Sequence, residues 1–131
     1  MGLLARVLWL SGNRVDADRF CSLAEELADP DDVGSQVYWR ITRSGLLVAA
    51  DPAAARALAD EAVGMADGST GLIIWADALR GRADVLDALG EPDAARRDLE
   101  QAAALYERKG DVVSTRDTRG RLAGGVAAGA S

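Results

Sequence analysis

The stretch Ala83-Asp84-Val85-Leu86-Asp87-Ala88-Leu89-Gly90-Glu91-Pro92-Asp93-Ala94-Ala95-Arg96-Arg97-Asp98-Leu99-Glu100-Gln101-Ala102 decides the fold. Gly90 follows a run with helical spacing and can take the left-handed conformation that closes a helix. Pro92 falls in the first turn of a second helix, where its missing amide hydrogen would have had no partner anyway. Beyond it, Ala95, Leu99 and Ala102 stand at i, i+4 and i+7, one stripe of a helix. Two helices joined by a tight turn are predicted, and the small stripe predicts that they lie close together.

The same arrangement recurs upstream. With Gly12, Ala50 and Gly90 aligned as turns, Ala17, Ala55 and Ala95 share one column, Cys21, Ala59 and Leu99 a second, and Ala24, Ala62 and Ala102 a third. The spacing is 38 and then 40 residues in every column. Breaks at Ser11-Gly12-Asn13, Asp29-Pro30-Asp31, Asp51-Pro52, Asp67-Gly68-Ser69, Gly90-Glu91-Pro92 and Lys109-Gly110-Asp111 divide the chain into seven helices. They are expected at 3–10, 14–28, 32–49, 52–66, 70–89, 92–108 and 111–123. Asp31, Ser69 and Asp111 are placed to cap the amides of the helices that follow them, and Gly110, like Gly90, to close the one before it. The fold class expected is all-α, one helical domain over 1–123, with a flexible tail at 124–131 that has little apolar surface to pack.

Composition agrees. At 131 residues the chain fits one domain. Its apolar fraction is 49% but its aromatic fraction only 5%, so the core must be built from alanine, leucine and valine. Such small residues suit closely packed helices. A net charge of -6 argues against a phosphate-binding surface, and so against a direct nucleic-acid partner. Cys21 is the single cysteine, which fits a reducing, cytoplasmic setting. The apolar opening is interrupted by Arg6 and no run approaches a membrane span, so a soluble chain without membrane partner is expected.

Catalytic schemes find few materials. The chain has no histidine, which removes the usual general base and the commonest metal ligand. Cys21 lies on an apolar stripe beside Phe20 and Ala24 and reads as core. The glycines of 64–71 lack the lysine of a phosphate loop. Carboxylate pairs occur at Asp16 with Asp18, Glu25-Glu26, Asp31-Asp32, and Asp84 with Asp87, and the last pair shares a helix face at i, i+3. No cofactor or metal is expected, and no catalytic residue is assigned.

Ala83, Gly90, Ala95 and Ala102 match the tetratricopeptide pattern, as do Ala5, Gly12, Ala17 and Ala24. The middle repeat departs through Arg43 and Ala50, while Trp39 occupies the pattern's tryptophan position. The chain therefore resembles tetratricopeptide repeats, although its periods exceed the family's usual length of about 34 residues. The run Ala104-Leu105-Tyr106-Glu107-Arg108-Lys109-Gly110-Asp111-Val112-Val113-Ser114, with Asp84-Val85-Leu86 upstream, is similar to the C-terminal helical tails of large bacterial regulators. Those regulators join an ATPase and a nucleotide-cyclase or transcriptional-regulator domain to such a tail. The resemblance implies stacked antiparallel helix pairs and a sensing or scaffolding role toward a protein or peptide. It also implies a concave groove lined by Arg6 and Trp9, by Arg40, Ser44 and Val48, and by Arg80, Asp84 and Asp87.

A protein-interaction or regulatory module without catalytic activity is the function expected. Two alternatives stand beside it: a small-ligand-binding or enzymatic bundle using Asp84, Asp87 and arginines, and a truncated repeat segment of a larger signalling regulator. Leu3, Leu4, Val7, Leu8 and Trp9 crowd more apolar bulk into one short helix than a single face can bury, which points to a contact surface at this end, covered either by self-association as a homodimer or by a preceding repeat of a longer parent protein. At the other end, Arg116, Asp117, Arg119 and Arg121 suggest a polar cap, with Val112, Val113 and Leu122 turned inward.

Overall fold

The computed structural model describes the backbone of residues 14–67 and 71–130 and the side chains of 19–67 and 71–124. Among the described residues there are six helices and no strand: α1 (Arg14–Leu27), α2 (Val33–Leu47), α3 (Pro52–Asp67), α4 (Leu72–Ala88), α5 (Pro92–Lys109) and α6 (Val112–Ala130). The helix expected at 3–10 lies outside the described residues, and with it Leu3, Leu4, Arg6, Val7, Leu8 and Trp9. Ser69 lies outside them too.

Side chains at the breaks fix where helices start and stop. Asp32, with extended backbone, accepts the Ser35 amide at 3.4 Å and the Ser35 hydroxyl at 2.8 Å, so it caps α2 where Asp31 was the expected cap. Asp31 instead donates its own amide to Asp29 at 2.9 Å. Asp51 accepts the Ala54 amide at 3.1 Å just before Pro52, and Asp111 accepts the Ser114 amide at 3.0 Å at the head of α6. Gly90 and Gly110 have φ of 78° and 85°, which side chains rarely tolerate. That conformation lets the Glu91 and Asp111 amides turn back onto the Leu86 and Tyr106 carbonyls, each at 2.9 Å.

The last helix departs from expectation twice. It does not end at 123 but runs on to Ala130, through Gly124 and Gly125. A helical glycine is about 1 kcal/mol less favourable than alanine, a weakening and not a stop. Val112 and Val113 are also not turned inward: they are 67% and 69% exposed. The inner face is set by Thr118 and Leu122, which lie roughly opposite them around the helix, with Thr118 buried and Leu122 packed on the core.

The alanine columns form the core. Cys21, Ala24, Ala55, Ala59, Ala62, Ala95, Leu99 and Ala102 are all buried. Each helix packs against its predecessor, and α2 also packs against α4. That last approach is close enough to require Gly81, where an added Cβ would lie 2.3 Å from Ile41 Cγ2. No comparable approach joins α4 to α6: among the described residues α6 packs along α5, and none of its Cα atoms comes within 8 Å of one in α4. Side chains join α4 to α6 instead: Leu122 packs on the cluster of Ala83, Leu86, Ala95 and Leu99, and Arg121 reaches α4.

Candidate functional site

Asp77, Arg80, Asp84 and Asp87 follow one another at three- and four-residue steps and so occupy one face of α4. The face begins with a polar knot. Tyr38 of α2 and Tyr106 of α5 each donate a phenol hydrogen to one oxygen of Asp77, so a single carboxylate joins three helices. Tyr106 is fully buried, and burial, followed by its bond to Asp77, pushes its phenol pKa well above the ordinary value of 10.0.

One turn further on stands Arg80. Its guanidinium carbon stands 5.7 Å from the centroid of the Tyr106 ring. Its Nε is buried and has no hydrogen-bond partner. The Asp111 carboxylate at the head of α6 is near enough to feel its charge. That carboxylate already accepts the Ser114 amide, however, and Asp77 already accepts two phenols.

Asp84 and Asp87 come together as their spacing predicts, and a third group lies between them. Arg121 of α6 reaches α4, with Nη1 2.6 Å from Asp84 and Nη2 2.9 Å from Asp87. Burial works against the charged guanidinium, but the combined pull of the two carboxylates outweighs it and raises the Arg121 pKa. The pairing of Arg80 with Asp84 along one helix, which their four-residue spacing suggests, is not made.

The residues expected from α2 divide. Arg40 is half-buried and held by its own chain: Nε donates to Glu61 at 2.8 Å, Nη1 to the Gln36 carbonyl at 2.9 Å, and the guanidinium stacks 4.3 Å from the Trp39 ring centroid. Ser44 is not a groove residue, since it is fully buried and donates its hydroxyl to the Ile41 carbonyl at 2.7 Å. Val48 is not one either: it packs against the core of Ala55, Ala59 and Val85. Both corrections have one cause. Val37, Ile41, Ser44 and Val48 stand at i, i+4, i+7 and i+11, so they continue the stripe that α2 buries. Arg6 and Trp9 lie outside the described residues.

The sequence does not mark Tyr38, Asp77 or Tyr106 as site residues, although Asp77 is the lone acid in the apolar run Leu72-Ile73-Ile74-Trp75-Ala76-Asp77-Ala78-Leu79. Asp98 carried a similar signal, an acid on the buried stripe beside Leu99. It is 6% exposed and takes a two-point bond from Arg82 at 2.7 and 2.8 Å. That bond, reinforced by Asp60, raises the Arg82 pKa. Cys21 is core as expected, donating its thiol to the Trp39 carbonyl at 3.3 Å. Among the described residues no helix is long and apolar enough to cross a membrane.

Compared with protein-family models, with curated proteins and with solved structures, the chain finds no match in any of the three, so its likeness to helical repeats stands on the residues alone.

Proposed function

We propose that this chain is a tetratricopeptide-like module, a stack of antiparallel helix pairs, that binds an acidic group of a partner protein at Arg80 and does no chemistry itself. The observation that carries the reading is the buried, unpartnered Arg80 Nε on the face of α4 that also bears Asp84 and Asp87. A guanidinium is the donor best matched to a carboxylate, and a buried donor left without an acceptor is destabilising until something supplies one. Arg40, the other described groove arginine, has acceptors within its own chain and has less to offer. The small buried columns and the close approach of α2 to α4 support the repeat arrangement. The likeness of 104–114 to regulator tails supports a sensing or scaffolding role in the cytoplasm of a bacterium.

Binding of a fluorescent hexaglutamate peptide, with hexaglutamine as its neutral control, tests the reading. A charge-assisted bond contributes about 1.5 to 3 kcal/mol, so Arg80→Gln is expected to weaken hexaglutamate binding by roughly 10- to 100-fold. Arg40→Gln is expected to change it little. Equal binding of both peptides, or insensitivity to Arg80→Gln, contradicts the assignment.

A further inference from the structure

Helix α6 is held differently from the rest of the molecule. Thr118 is its one fully buried side chain among those described, and the Thr118 hydroxyl is satisfied within the helix by the Ser114 carbonyl at 2.7 Å. Leu122 supplies its main apolar contact, against the cluster of Ala83, Leu86, Ala95 and Leu99. Its first-turn valines are exposed, and Gly120, Gly124, Gly125 and Gly129 lower its own helix propensity. Beside Leu122, charge ties it to α4: Arg121 on Asp84 and Asp87, both carboxylates about half exposed. Arg119 on Glu107 adds a pair along the α5 side. The connection to α5 is the two residues Gly110 and Asp111.

By contrast α5 buries Ala95, Leu99, Ala102, Ala103, Leu105 and Tyr106 and is fixed along its length. A helix whose described side chains bury so little apolar surface belongs to the less stable part of a fold and opens before the rest. Its departure uncovers Leu86 and Leu99 and leaves Asp84 and Asp87 without their cation.

We propose that α6 is a latch that occupies the Asp84–Asp87 pair in cis, and that a basic amphipathic helix of a partner, presenting an arginine followed by a leucine as Arg121-Leu122 do, replaces it in trans. This builds on the groove reading through Asp84 and Asp87 and leaves Arg80 aside. The partner chemistry follows from the surface uncovered, two carboxylates beside an apolar patch. Arg121 is then an internal competitor, and removing it favours the partner.

The probe is a fluorescent synthetic peptide with the sequence of residues 111–130, together with the same peptide carrying Arg121→Glu, each added to the full-length chain. Removing two partly exposed ion pairs weakens the latch, so the unaltered peptide is expected to bind the Arg121→Glu chain about tenfold more tightly than the wild-type chain. The Arg121→Glu peptide is expected to bind neither, and adding Asp84→Asn and Asp87→Asn to the Arg121→Glu chain is expected to abolish binding. Far-ultraviolet dichroism checks that the variants stay helical, and Arg121→Gln takes the place of Arg121→Glu if that chain unfolds. Equal binding of both peptides, or equal binding to wild-type and variant chains, overturns the latch. Failure of Arg80→Gln to affect hexaglutamate leaves this experiment untouched, so the two readings fail separately.

Discussion

Gly81 has no side chain because Ile41 occupies the space that one would need. The Ile41 atom concerned is attached to the rigid branch at Cβ, so neither residue can yield cheaply. Gly81→Ala gains up to about 1 kcal/mol of helix propensity but forces overpacking of about 1 to 3 kcal/mol, and a 2.3 Å approach falls at the severe end. A net loss of about 1 to 2 kcal/mol is expected in urea unfolding; a gain would contradict the packing of α2 on α4. The capping aspartates make a second case. The Ser35 hydroxyl holds the Asp32 carboxyl below its ordinary pKa of 3.8, and the Ser114 amide does the same for Asp111. Each carboxylate therefore stabilises the fold above that ordinary value, and its contribution is lost as pH falls through the lower folded value. The Ser35 and Ser114 amides are expected to fray in acid below pH 3.8, followed by NMR, and Asp111→Asn should remove that pH dependence at Ser114 alone. Contacts at this scale were the least legible in the sequence. Tyr38 and Tyr106 lie far from Asp77 along the chain, and only the register between helices decides that they meet.

At the scale of helices the sequence was far more informative, because a 3.6-residue period and a local cap are both properties of neighbouring residues. Five of the six described helices begin and end within a few residues of the breaks expected from the sequence, among them those at Pro52, Gly90, Pro92 and Gly110. Helix α6 escaped for a related reason. Adjacent valines at 112 and 113 give no phase, so they said nothing about which face α6 buries, and Gly124-Gly125 resembles a terminus although glycine only weakens a helix. Gly120 has open space around the position of an added Cβ, so Gly120→Ala is expected to stabilise α6 by about 0.5 to 1 kcal/mol. Hydrogen exchange over 113–123 should slow correspondingly while α3 and α4 keep their rates. Exchange of α6 in step with α4 and α5 would show that it does not open as a unit.

Across the whole molecule, polar ties repeat what the small core residues do. Arg40 with Glu61 joins α2 to α3, Arg82 with Asp60 and Asp98 joins α3, α4 and α5, and Asp77 joins α2, α4 and α5 through two phenols. Among the described residues the charged tie between α4 and α6 is Arg121 on Asp84 and Asp87. The apolar crowding of Leu3, Leu4, Val7, Leu8 and Trp9 still predicts self-association. Light scattering is expected to find a dimer at micromolar concentration that Leu4→Glu with Trp9→Glu makes monomeric; a monomeric wild type would reject it. Of the groove, the sequence placed Arg80, Asp84 and Asp87 on one face but could not tell which were already paired, since the partner of Asp84 and Asp87 comes from another helix. The buried Arg80 Nε has no acceptor in the fold, and a partner's acidic group is proposed to supply one. The most direct measurement is the NMR signal of the Arg80 Nε–H, assigned by its loss in Arg80→Gln, during titration with hexaglutamate. A saturable downfield shift, absent with hexaglutamine and accompanied by slower solvent exchange, is the result expected. A signal that stays in place while hexaglutamate binds elsewhere, or that moves equally with both peptides, would contradict it.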